Sequence, residues 1–288
     1  MSFSIDPKCI KAIALDLDGT ILPHGALLSK RTIAAVKTCI KKGIKVIIAT
    51  GRSLESAEPY RLSLGAEGPM VYLNGAMVVE MPQSKVLSSI PLDTGAAEFC
   101  VDLAREAGIY CQVYFLAGAG SAQTILMAEM DYPERNEYYE HTKVLAEIGD
   151  IKKAMLRPNF AGCIKIMFLA EPEILSTIRP RLEERLGKTV YIAKTSETFL
   201  EVMNAGASKG RGLKTIMELY GFKPEEVIAI GDEENDLPMF DVAGFSAAPA
   251  GAKDVVRQKV DLILGACSED GVAIFLENVY RRRDVRKI

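Results

Sequence analysis

Two acidic clusters in this 288-residue chain have the residue types for group-transfer chemistry. The first, Asp16-Leu17-Asp18-Gly19-Thr20, ends the short apolar run KAIALDL. Two carboxylates one residue apart can converge on one ligand or metal, or divide the work of nucleophile and acid/base. An ordinary acidic turn closed by Gly19 is the plain alternative. The second cluster, Gly231-Asp232-Glu233-Glu234-Asn235-Asp236, follows the apolar run Val227–Ile230. Its acids repel one another unless a cation offsets them, and hard oxygen donors of this kind suit Mg²⁺. The alternative is a solvated acidic loop ahead of a helix N-terminus, where the macrodipole favours acids.

Two smaller signals accompany them. Thr50-Gly51-Arg52 follows the apolar run at 45–49 and leads into a helical pattern, so its hydroxyl and backbone N–H groups could hold an anion. Ser208-Lys209-Gly210 opens another helix. A lysine at a helix start opposes the macrodipole, which implies a partner for Lys209 such as a phosphate.

The elements that must position these residues follow from apolar spacing. Short runs at 11–17, 45–49 and 70–73 alternate with helical patterns, the first N-capped by Ser29 and the second spanning about 53–64, and Gly43 and Gly65 fit as stops. Strand, helix, strand, helix, strand predicts a parallel sheet with crossover helices, and nearly continuous apolar strands predict a sheet covered on both faces. The rhythm returns late: a helix from Ser208 to Gly221, a strand at 227–230, a short helix near 236–243 and a last helix from Ser268 to about Tyr280. Between them the pattern changes. A hairpin is predicted around Met81–Ser84, helices near 94–107 and 172–186, and strands near 109–116, 124–128, 163–169, 189–192 and 199–203, which together predict an α+β domain with a largely antiparallel sheet. Thr50 and Lys209 stand 159 residues apart, far more than one crossover needs, so the second domain is inserted into the first. The expected division is 1–82 and 198–288 for the core and 83–197 for the insert.

Composition narrows the rest. Hydrophobic residues make up 49% and charged residues 25%, with a net charge of −3, which excludes a disordered chain and gives no general pull toward nucleic acid or anionic membrane. No apolar run approaches the ~18 residues needed to span a bilayer, and no signal pattern precedes the first strand. Six cysteines without a C-x-x-C pair read as core thiols of a reducing compartment, which makes the cytoplasm the expected location. His24 reads as an exposed loop residue and the basic stretch at 281–287 as a solvated end.

Taken together, in this order and each after a strand, the four motifs resemble those of the haloacid dehalogenase-like superfamily. ATGR at 49–52, NGA at 74–76, SKG at 208–210, GDEENDLPMF at 231–240 and EDGVA at 269–273 are similar to its Cof-type subfamily of sugar-phosphate and small phosphometabolite phosphatases. The resemblance implies a Rossmann-like doubly wound α/β core with an inserted α+β cap of C2 type that covers the sheet's carboxyl edge and selects substrate. It implies hydrolysis of a small phosphorylated metabolite, a sugar phosphate foremost, through an aspartyl-phosphate. Asp16 would be the nucleophile and Asp18 the acid/base; Mg²⁺ would be held by Asp16, the Asp18 carbonyl and Asp232, with Asn235 and Asp236 in support. Thr50, Gly51 and Lys209 would bind the phosphoryl group, with Arg52 and Asn74 close to the pocket. A phosphotransferase or mutase, and more remotely a phospho-acceptor switch, remain alternatives. The sequence is compatible with a monomer without setting the oligomeric state. One departure stands out: Ser246-Ala247-Ala248-Pro249-Ala250 replaces the Gly-Asn-Ala that the subfamily often carries there.

Overall fold

The computed structural model describes residues 6–284 apart from 24, 26, 119, 158–160, 195 and 196; His24 and the end of the basic stretch lie outside the described residues. The chain forms two compact units: 1–51, 57–83 and 208–288 make the first, and 52–56 with 84–207 the second.

In chain order the first segment runs β1 (Ala12–Leu15), α1 (Lys30–Lys41), β2 (Lys45–Ile48), α2 (Leu54–Leu64), β3 (Gly68–Tyr72), β4 (Met77–Met81) and β5 (Lys85–Ser89). α1 begins where expected, because Ser29 Oγ accepts the Thr32 N–H at 2.9 Å and satisfies one of the helix's orphan donors. The second unit, to which β5 already belongs, continues with α3 (Thr94–Ala107), β6 (Tyr110–Leu116), β7 (Thr124–Ala128), α4 (Pro133–Thr142), β8 (Glu147–Ile148), α5 (Ile151–Met155), β9 (Cys163–Leu169), α6 (Pro172–Leu186), β10 (Val190–Lys194) and β11 (Phe199–Asn204). The chain then returns to the first unit through α7 (Lys209–Tyr220), β12 (Val227–Ile230), α8 (Leu237–Phe240), β13 (Phe245–Pro249), α9 (Asp254–Arg257), β14 (Leu262–Leu264) and α10 (Gly271–Asp284).

The first unit is α/β. Its main sheet has the order β14-β13-β12-β1-β2, and every pairing in it is parallel. β1 is an interior strand, with Leu15 opposite Ile230 on one side and Ile48 on the other, and all four of its residues are buried. The third predicted strand departs from the expected sheet. β3 pairs antiparallel with β4 in a separate three-stranded sheet and meets the main sheet through a parallel bridge, Ala49 to Val71.

The second unit is α+β, as expected. Its six strands lie in the order β10-β11-β9-β6-β7-β8, antiparallel except for the short β7–β8 contact. Alternation splits the strands between two faces. Cys111, Val113, Phe115, Ile166 and Phe168 join the core built with α3 and α6, while Tyr110, Tyr114, Met167 and Leu169 face the other way beside Tyr138 of α4. The expected boundary at 197 lies instead at 207, because β11 pairs along its length with β9 and β10.

Candidate active site

The first acidic motif leaves β1 at its carboxyl end, the edge where parallel sheets bind ligands. Asp16 is 4% exposed, and its backbone N–H donates to Ile230 O at 2.9 Å, tying the motif to β12. The chain then folds back on itself: Gly19 N–H donates to Leu22 O, and Leu22 N–H to Leu17 O. Gly19 is required twice over. Its φ of +78° lies in the left-handed region, and a Cβ there would sit 2.2 Å from Asp232 Oδ2. The second acidic motif thus packs directly on the first. Thr20 Oγ1 donates to Asp232 Oδ1, closing the junction from the other side.

Lys209, the first residue of α7, is 1% exposed and joins the two motifs. Its ammonium donates to Asp16 Oδ1 at 2.7 Å and to Asp236 Oδ1 at 2.6 Å. Ser208 caps this helix by accepting the Arg211 N–H at 3.1 Å. Burial works against the charge of Lys209, but Asp16 and Asp236 outweigh it and hold its pKa above the usual lysine value. Asp236 is committed on its other oxygen too, which accepts the backbone N–H groups of Asp232 and Glu233 at 2.9 and 3.0 Å. Burial pushes Asp16 well above the ordinary carboxylate range, with Lys209 pulling back and the neighbouring aspartates pushing further. Burial likewise lifts Asp232 to about 6, against the Thr20 hydrogen bond.

Asp16, Asp232 and Asp236 each offer one oxygen, all within 4.8 Å of one another and all buried. Three carboxylates against one ammonium leave negative charge that a divalent cation balances, and the donors are hard oxygens of the kind Mg²⁺ takes. One further atom fits such an ion: the buried Oδ1 of Asn235 has no hydrogen-bond partner among the described residues and could accept from a metal-bound water. The repulsion expected among the loop's acids is also relieved outside the triad, since Lys253 pairs with Glu233 at 2.8 Å and Glu234 at 3.7 Å.

Thr50 is fully buried at the end of β2; its N–H donates to Val71 O at 2.9 Å and its carbonyl accepts the Asn74 N–H at 3.0 Å. Asn74 in turn accepts from Asn235 Nδ2 at 2.9 Å. Gly51 stands where a Cβ would come within 3.0 Å of Asn74 Oδ1. Asp18 is half-buried on the first motif. Arg52 belongs to the second unit, where Nη1 donates to Ser56 Oγ at 3.0 Å. The structure therefore brings Asp16, Lys209, Asp232 and Asp236 into direct contact, and links Thr50, Asn74 and Asn235 in a chain. The departure at 246–250 is accommodated locally: Ser246 N–H and Oγ both donate to Asp261 Oδ2, at 2.8 and 2.9 Å.

Sequence reasoning missed Lys253, which carries no motif, and a polar cluster in the second unit. There Lys165 Nζ donates to Glu201 Oε1 at 2.9 Å with both side chains buried, lies 4.9 Å from the Tyr114 ring, and shares this face with the Tyr114–Tyr138 hydroxyl pair. Single polar residues in apolar strands gave no sign that they would meet.

Comparison with known proteins places this geometry. The family model described as haloacid dehalogenase-like hydrolase matches residues 13–276. Among curated proteins, the chain is 28% identical over 283 residues to a 5-amino-6-(5-phospho-D-ribitylamino)uracil phosphatase of Bacillus subtilis, covering 94% of this chain and 98% of that one. It is 26% identical to the pyridoxal phosphate phosphatase of Escherichia coli, covering 92% and 97%. Among solved structures, a haloacid dehalogenase-like hydrolase from Bacteroides thetaiotaomicron superposes with a TM-score of 0.84 at 24% identity, covering 94% of this chain and 99% of that chain. Among the described residues no helix is long and apolar enough to cross a membrane.

Proposed function

The chain belongs to the haloacid dehalogenase-like hydrolase family, and from that premise we propose that it is a Mg²⁺-dependent phosphatase of a small phosphorylated metabolite, working through an aspartyl-phosphate. The observation that carries this reading is Asp16, a buried carboxylate at the end of the interior strand β1, held by a buried lysine beside two further aspartates. Asp16 would attack phosphorus, forming an O–P bond as the ester O–P bond breaks. Asp18 would give its proton to the departing oxygen and then take one from the water that attacks the aspartyl-phosphate, releasing inorganic phosphate and Asp16. Lys209, Thr50 and Gly51 would hold the phosphoryl oxygens, whose charge spreads over three equatorial positions in the transition state. Asp16, the Asp18 carbonyl and Asp232, with Asp236 and Asn235 in support, would hold Mg²⁺, which would supply charge neutralisation to the same oxygens.

The second unit would select the leaving group. The curated relatives named above act on a phosphorylated ribityl compound and on pyridoxal phosphate, which supports a hydroxyl-bearing metabolite, with sugar phosphates as the first class to test. A screen of sugar phosphates, flavin mononucleotide, pyridoxal phosphate and p-nitrophenyl phosphate with Mg²⁺ tests the reading. Turnover of at least one ester, abolished by chelator and by Asp16→Asn, is expected. Full activity in Asp16→Asn would overturn the mechanism.

A further inference from the structure

The turn Leu73–Gly75 carries more than its place between β3 and β4 requires. Three consecutive residues have positive φ: Leu73 at 49°, Asn74 at 54° and Gly75 at 89°. Two of them carry side chains, and both are almost wholly buried. A leucine and an asparagine held in the left-handed region are strained, and such strain persists only where the surroundings over-determine it. The surroundings here are three loops of the candidate site. Asn74 N–H donates to Thr50 O at 3.0 Å. Asn74 Oδ1 accepts from Asn235 Nδ2 at 2.9 Å. A Cβ on Gly75 would lie 1.9 Å from Ser208 O, so this backbone packs against the residue that caps the Lys209 helix.

The Asn235 amide is thereby fixed. Its nitrogen is committed to Asn74, and its oxygen, buried and without a partner among the described residues, is left facing elsewhere. An acceptor stripped of water and unpaired is stable only if a donor reaches it in the working protein. We propose that Asn74 is a positioning residue: it holds Asn235 Oδ1 and the Thr50 loop at one spacing, so that the acidic loop and the phosphoryl-binding loop act as a single frame. Asn74 then affects the chemistry through Asn235 and Thr50 without itself touching the substrate. The inference rests on the phosphatase reading for its kinetic consequence, but the bond it invokes is independent of that reading.

A double-mutant cycle on the full chain tests it, using Asn74→Gly, Asn235→Ala and the double variant. Glycine keeps the left-handed turn and removes only the side chain. The readouts are kcat and KM for p-nitrophenyl phosphate, half-saturating Mg²⁺, and the Tm shift produced by Mg²⁺ without substrate. Each single variant is expected to lose roughly 10–100-fold in kcat or in Mg²⁺ half-saturation, as residues behind a metal site typically do, with KM within about threefold. The double variant is expected to be no worse than the poorer single one, because both remove the same bond. Losses that multiply, an effect confined to KM, or an Asn74→Gly protein that behaves as wild type would each overturn the proposal. If wild type turns over no phosphate ester while the Mg²⁺-induced Tm shifts still fail to add across the cycle, the positioning role stands and the phosphatase reading falls. Should Asn74→Gly not fold, Asn74→Asp takes its place; it keeps an acceptor for Asn235, so a smaller loss than that of Asn235→Ala is expected and an equal loss counts against the proposal.

Discussion

Lys209 stands between Asp16 and Asp236 at 2.7 and 2.6 Å, so without an ion the charge of the site rests on one ammonium. Replacing it with methionine strands buried carboxylates, and removing one partner of a buried pair typically costs about 3–5 kcal/mol. Lys209→Met should lose on that order in urea unfolding of the chelated protein at neutral pH; a loss below about 1 kcal/mol would contradict the charge balance described above. The pH dependence follows from Asp232. Its pKa is raised from 3.8 to about 6, so the fold favours its protonated form. That contribution to stability is full below 3.8 and is lost as pH rises through about 6. Mg²⁺ needs the ionised form, so the Mg²⁺-induced rise in Tm should be small at pH 5 and grow through 6 toward a plateau; a shift as large at pH 5 as at pH 7.5 would argue against Asp232 as a ligand. Gly19→Ala should lower Mg²⁺ affinity at least tenfold in calorimetric titration, because its Cβ would displace the Asp232 carboxylate. Asp16 stood out in the sequence because acids directly after an apolar run are costly without a use, Asp232 and Asp236 because clustered acids repel one another, and Lys209 because a cation at a helix start opposes the macrodipole. The bond from Thr20 to Asp232 was not, since it spans 212 residues. Nor was Lys253, whose role depends on where a later loop lands.

At the scale of elements, alternation and helix caps located most strands and helices, including α1 and α7 with their serine caps. The partner of a strand was less visible. β3 has the apolar run of a buried parallel strand, yet it pairs antiparallel with β4 because the chain reverses at Leu73–Gly75. β11 reads as a strand of either unit; its pairing with β9 and β10 assigns it, and pairing is a non-local property. α4 has almost no apolar stripe for a sequence reading to find, although it buries Tyr138. The Lys165–Glu201 pair bonds across β9 and β11 within the sheet. Lys165→Met should destabilise the protein by about 3–5 kcal/mol in chemical denaturation, whereas Lys165→Met with Glu201→Leu should restore much of the loss, since a well-packed apolar pair can replace a buried ion pair. Equal losses in both variants would mean that packing, not charge, dominates there.

At the scale of the molecule, the separation of 159 positions from Thr50 to Lys209 announced an inserted unit, and the structure gives that unit its own six-stranded sheet and its own apolar cores. A fragment of residues 84–207 should therefore unfold cooperatively by circular dichroism; a broad, non-cooperative melt would show that its cores do not suffice. On the far side of that insert lies a partner of β1, since β1 pairs with β12, a strand far along the chain. That pairing has a consequence for synthesis. β1 is an interior strand, yet one neighbour, β12, emerges from the ribosome more than 200 residues later. At about 5–20 residues per second, the hydrogen-bonding edge of β1 waits roughly 10–40 s for its partner. During that interval the inserted unit is already fully synthesised, while the apolar strand that will carry Asp16 is exposed to chaperones and to other nascent chains. The catalytic sheet is thus begun first and completed last, so growth temperature and translation speed should govern the yield of soluble protein more than they govern the stability of the finished fold.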